Sequence, residues 1–372
     1  MSVRHRSVVP LANAFLAGVL LTALVANRGA LLTTATAHAG GVSPCYAPPP
    51  VTTPGAGTVP SHVINGVRTF YLTAAPITQT ILDHVNGKTL RVKAWGYNGS
   101  TPGPTIIVKT GERVAIVVTN HLSEPTSVHW HGLTIPNSQD GVPGVGEPTP
   151  LIQPGQSYRY HFTIVDPAGT HMYHSHTNTT KQDNLGLEGA FIIEPRGCLS
   201  QRIDRDYALF LQSWAIPQAM PMMDAGLTKE SPTNGVLKMD AVDNVTPGTF
   251  PENPDSGNFN FETINGRAMP SNYPLPVRLG ERIRIRFMNI SQFDHPIHMH
   301  GQYFQQVAVD GADLPLPITE NTVDSVSGQT EDIEFIAHNP GIWPLHCHLP
   351  HHTTNNGSSG EGGMFTVVKY VS

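Results

Sequence analysis

GERVAIVVTNHLSEPTSVHWHG, residues 111–132, and GERIRIRFMNISQFDHPIHMHG, residues 280–301, are two versions of one segment at a constant offset of 169. The likeness runs on in both directions. Tyr97-Asn98-Gly99 precedes the first copy as Ile264-Asn265-Gly266 precedes the second; His174-Ser175-His176 and His346-Cys347-His348 follow at an offset of 172, and Gly189-Ala190-Phe191 and Gly363-Met364-Phe365 at 174. Such self-similarity marks a duplicated unit. Residues 113–119 and 282–288 alternate or run apolar and β-branched between Gly and Asn, which is strand chemistry. Residues 106–109, 158–164, 190–194, 333–337 and 365–370 read the same way, and no stretch beyond residue 40 carries a long period of 3.6. The expected fold is all-β, with two antiparallel sandwiches of roughly 150 residues each. We place the first domain at 62–197 and the second at 198–372, with an extension at 40–61 and a Pro/Met/Asn-rich surface insertion at 215–257.

A length of 372 residues suits two domains. Only 13% of residues are charged and the net charge is -6, so the bulk electrostatics exclude nucleic acid and anionic membranes as partners. Arg4 and Arg6 precede an apolar run over 11–25, and Ala37-His38-Ala39 follows, so residues 1–39 read as an export signal. The run is short of the ~20 residues a spanning helix needs, and no membrane association is expected after cleavage. In an oxidising compartment Cys45 and Cys198 can pair, which leaves Cys347 over.

The 19 histidines carry the chemistry. Four His-x-His pairs occur: His129/His131, His174/His176, His298/His300 and His346/His348. On a strand, residues i and i+2 share a face, so each pair presents two imidazoles together. Eight neutral imidazoles converging without a cation would make a poor core, so the pairs point to metal. Imidazole alone suits zinc, copper, iron and nickel; Cys347, facing away from the pairs toward His295, His352 and Met364, points to copper, because two His and a Cys with a weak axial Met form the blue-copper set. His351 is the rival of His352. Carried back by the local offsets, these four positions fall on Thr126, Ser175, Thr180 and Ala190, so only the second domain is expected to hold that copper.

With His129-Trp130-His131-Gly132, His174-x-His176, His295-x-x-His298-x-His300 and His346-Cys347-His348-x-x-x-His352, the chain resembles the two-domain multicopper oxidases, the small bacterial laccases, in their type-B arrangement. The resemblance implies two cupredoxin-like Greek-key domains and four coppers per chain. The type 1 copper would sit on His295, Cys347, His352 and Met364, and the type 2 copper on His129 and His298. One type 3 copper would take His131, His174 and His348, the other His176, His300 and His346. It further implies a homotrimer whose trinuclear clusters form between subunits, with phenols or aromatic amines giving single electrons and dioxygen being reduced to water. A metallo-oxidase acting on cuprous, manganous or ferrous ion is the alternative; copper nitrite reductase or a non-catalytic copper or electron carrier fits less well. Asp140 matches the family's acidic residue near the cluster and is the expected proton carrier, although Asp140-Gly141 is also an ordinary turn. Residues 355–362 lengthen the loop before Met364, and the comparable loop of the first repeat supports Met364 as the axial ligand. His62, His84, His121, His161, His171 and His338 are expected to be solvated or hydrogen-bonded, and Met220, Met222 and Met223 to pack within the insertion.

Overall fold

The computed structural model describes residues 44–85, 88–216, 259–358 and 360–372. The expected signal segment and Met220, Met222 and Met223 lie outside the described residues. Nearly all regular structure is β, in four sheets.

In the first repeat, the strands Ser61–Ile64, Val67–Val85, Lys88–Tyr97, Arg113–Asn120 and Ser157–Thr163 form one sheet. Gly103–Lys109, Glu188–Glu194, Gly169–His174 and His129–His131 form the other. Phe70, Leu72, Ile106, Ile116, Trp130 and Phe191 fill the space between them. The second repeat does the same with Tyr207, Ile285, Phe287, Ile297, Leu345 and Val368.

The duplicated segments occupy duplicated places. Arg113–Asn120 runs antiparallel to Ser157–Thr163 and parallel to Val67–Val85. Arg282–Asn289 runs antiparallel to Thr330–Ile336 and parallel to Arg205–Trp214. Each ends on a buried Asn that ties down the following loop: Asn120 Nδ2 donates to the carbonyls of Glu124 and Ile152, and Asn289 Nδ2 to those of Phe293 and Ser325. A buried amide satisfied in this way fixes where the strand stops.

Three features depart from the sequence reading. The sheets are mixed rather than antiparallel, since Val67–Val85 with Arg113–Asn120, Gly103–Lys109 with Glu188–Glu194, and Arg205–Trp214 with Arg282–Asn289 pair in parallel. Val67–Val85 and Lys88–Tyr97 make a long arm whose far half packs Ile81, Leu82, Leu90 and Val92 against Trp214, Ile216 and Phe261 of the second repeat. Val51–Thr52, inside the expected extension, is a strand parallel to Asp206 and Tyr207 in the second repeat's larger sheet. Cys45 and Cys198 are joined as a disulfide, with 5.0 Å between Cα atoms.

A buried ionic group also joins the repeats. Arg286 binds Asp206 through Nε and Nη2, each at 2.7 Å, and Asp332 at 3.1 Å, while Thr170 of the first repeat donates to Asp332 at 2.6 Å.

Candidate metal centre

The strand His295–Met299 and the end of Ile342–Cys347 are adjacent antiparallel strands, with Ile297 opposite Cys347. The 3-10 turn Pro350–Thr353 then brings His352 back over them. The result is a fully buried triangle: His295 Nδ1 lies 3.1 Å from His352 Nδ1, and Cys347 Sγ lies 3.7 Å and 3.5 Å from those two atoms. Of the rival pair, His352 joins this group and His351 is exposed. Met364 is buried and its backbone closes the site, donating to the His352 carbonyl at 2.8 Å and accepting from Cys347 at 3.0 Å.

Ser291 orients the first imidazole. Its hydroxyl donates to Asn289 Oδ1 at 2.8 Å, so the contact of 2.7 Å to His295 Nε2 is a donation from the ring. That leaves His295 Nδ1 bare and aimed at the triangle. Burial pushes His295 down to about 3 and His352 to about 4, and pushes the Cys347 thiol up to about 12. Two neutral imidazoles and a thiol that yields its proton only to a strong acceptor are a donor set for a thiophilic cation, and they fit copper.

The His-x-His pairs behave less uniformly than expected. Only His129 and His131 both lie in one strand; His176, His300 and His348 fall just beyond the ends of theirs. The central residues do face inward, as alternation requires: Trp130, Ser175, Met299 and Cys347 are all buried.

The eight imidazoles form two quartets. His129, His131, His174 and His176 contact one another by their rings, and so do His298, His300, His346 and His348. Among the described residues no ring contact or hydrogen bond links one quartet to the other. The quartets share a plan. His174 and His346 each donate Nδ1–H to the carbonyl of the next residue at 2.7 Å, and His129 and His298 donate theirs to the carbonyls of Asp140 and Asn321 at 2.9 Å and 2.8 Å. Four Nε2 atoms are thereby left as bare acceptors. Two of them sit against another ring nitrogen, His174 Nε2 3.2 Å from His131 Nδ1 and His346 Nε2 3.0 Å from His300 Nε2. Ring nitrogens held this close call for a shared proton or cation, so these donors also fit copper.

Asp140 approaches His129 Nδ1 to 3.5 Å with its carboxylate, besides the carbonyl contact. An acid that the sequence did not single out does more in the same quartet. Asp183 accepts from Ser175 and lies 3.3 Å from His174 Nδ1. Burial pulls His174 down, and Asp183 outweighs it, raising the imidazole above its ordinary value. His171 corrects another expectation: it is buried at 4% exposure with Nε2 unpartnered, wedged where a side chain on Gly311 would have to go.

Models of multicopper oxidase domains match residues 80–197 and 238–360. The crystal structure of a blue copper oxidase from Nitrosomonas europaea is 30% identical, with a TM-score of 0.66, and the match covers 82% of this chain and 86% of that one. The chain belongs to the multicopper oxidase family. Its four sheets are the family's cupredoxin-like sandwiches. Copper resistance protein A of Escherichia coli is 31% identical over 258 residues, 63% of this multicopper oxidase and 42% of that protein. Laccase-1 of Thanatephorus cucumeris is 28% identical over 247 residues, 63% of this chain and 39% of that one. This multicopper oxidase thus spans about two fifths of the length of these sequence relatives.

Proposed function

We propose that the chain is an exported laccase-type oxidase that takes single electrons from phenols or aromatic amines at a type 1 copper and passes them to dioxygen at a trinuclear cluster. The observation that carries this reading is the coexistence of two histidine quartets with a buried two-His-one-Cys triangle whose thiol lies one residue from two members of the second quartet, His346 and His348. Bound copper would supply the one-electron oxidation of the reductant and the four-electron reduction of dioxygen to water.

The protein's own part is geometric. His295, Cys347, His352 and Met364 would hold the type 1 copper in a dry pocket, with Ser291 fixing the tilt of His295. His129 with His298, His131 and His174 with His348, and His176 with His300 and His346 would hold the other three coppers. Each of these sets draws on both quartets, which supports a cluster built between the first domain (62–197) of one subunit and the second (198–372) of the next, closed as a cyclic trimer. A monomer in light scattering that carries a full copper load would sink the trimer. Asp140, beside His129, would deliver protons. Asp140→Asn should slow oxygen turnover and shift its pH profile at full copper load; an unchanged profile would remove the role.

Export is supported by the Cys45–Cys198 disulfide, a bond of oxidising compartments. Among the described residues no helix is long and apolar enough to cross a membrane. A copper count with absorption and electron paramagnetic resonance spectra tests the whole assignment, the expected result being four coppers per chain and a strong thiolate-to-copper band. The metallo-oxidase reading is favoured instead if cuprous, manganous or ferrous ion sustains turnover and a phenol does not.

A further inference from the structure

His352 is 1% exposed, so a reductant in solvent cannot touch that imidazole directly. Electrons arriving from outside on this side of the triangle must cross the groups that cover it. Among the described residues two rings do so. The exposed His351 stands edge-on to His352 with 4.2 Å between centroids, and the half-buried Phe293 lies at 5.5 Å. Phe259 extends the row, edge-on to Phe293 at 5.5 Å. The tight turn Pro350–Thr353 thus gives two adjacent histidines opposite duties, one ring inward to the donor set and one outward to water.

We propose that His351 is the residue through which a planar aromatic reductant hands over its electron. The reductant's ring would rest on the edge formed by His351 and Phe293, where aromatic contacts favour it. One electron passes across the contact between His351 and His352 and reduces the type 1 copper(II) to copper(I). The hydroxyl proton of the phenol goes to solvent water, and a phenoxyl radical departs. The proposal rests on the laccase reading and adds to it the point of contact.

The test uses the copper-loaded protein and its His351→Ala and His351→Trp variants. Absorption and paramagnetic resonance spectra should be the same in all three, since His351 lies outside the donor set. In oxygen-free stopped flow with 2,6-dimethoxyphenol, bleaching of the thiolate band should slow by about tenfold or more in His351→Ala, and recover most of that loss in His351→Trp. A second readout needs no phenol: a ruthenium-bipyridine photosensitiser free in solution should inject electrons into the type 1 site in a fast phase that His351→Ala lacks. Parental bleaching in a spectrally intact His351→Ala overturns the proposal, and so does a fast phase that survives the substitution. If the parent oxidises no phenol, the laccase reading fails and the flash experiment alone decides the role of His351, its fast phase upholding the conduit and the absence of that phase rejecting it.

Discussion

Gly363 shows how narrowly the triangle is built. Its backbone sits at φ +58°, and a Cβ there would lie 2.1 Å from the carbonyl oxygen of His352 and 2.8 Å from that of Thr354. Both atoms are backbone and cannot swing aside, so Gly363→Ala must push His352 outward. We expect a weakened and shifted thiolate-to-copper band, with a Tm lowered by roughly 2–4 °C for each kcal/mol lost. Glu331 makes the opposite kind of prediction, one about pH. Burial, with Asp310 and Asp332 nearby, pushes its carboxyl up from 4.5 to about 8, and Oε1 has no partner. The folded chain therefore holds a proton that the unfolded chain has released. This stabilisation is whole below pH 4.5 and is lost as the pH rises through 8. Glu331→Gln should melt with the parent near pH 4.5 and above it near pH 8, and thermal scans at the two pH values check this.

At the scale of elements, the duplication explains what could be read and what could not. Residues 365–370 form the strand expected of them, and the duplicated 113–119 and 282–288 each gain one residue, the closing Asn. The triangle was legible because its members stand out chemically: three cysteines, two of them paired, leave one thiol between two histidines. The long arm was not legible, because Thr, Gln and Asp break its alternation and its apolar positions serve a neighbour from the other repeat. Ser291 had a signal that only aligned repeats reveal. It stands where the first repeat has Leu122, and both backbone amides donate to the preceding buried Asn, at 2.9 Å and 2.8 Å. Only the second repeat has a hydroxyl there to orient a ligand. In the first repeat the matching space is plugged: Thr126, the counterpart of His295, donates to Gln182 at 2.7 Å, and Ser175, the counterpart of Cys347, donates to Asp183. Asp183 had no signal at all, since nothing in the spacing of residues 177–187 announces that the short helix Thr179–Gln182 returns it to His174.

Across the whole molecule, the buried group around Arg286 couples the repeats. The guanidinium, held above its ordinary value by Asp206 and Asp332 against the cost of burial, is hydrogen-bonded to two carboxyl groups that have almost no access to water. Arg286→Leu strands both of them. The expected cost is about 3–5 kcal/mol, read as a shifted denaturation midpoint. A loss under about 1 kcal/mol would mean that water or rearrangement reaches the group.

The pairing of Val51 and Thr52 with Asp206 and Tyr207 bears on how such a chain could be taken apart. Among the described residues the chain enters the sheet of the second repeat first, travels through the whole of the first, and only then returns. A gene cut to the boundaries of the duplication, with a fragment opening at Cys198, would therefore remove a strand and a cystine from the half that needs them. That fragment would present the bared edge at Asp206 and Tyr207 as a template for intermolecular strand addition. The two halves descend from one unit, yet they are no longer interchangeable modules: shuffling either into a new partner would have to carry residues 44–60 along with the second.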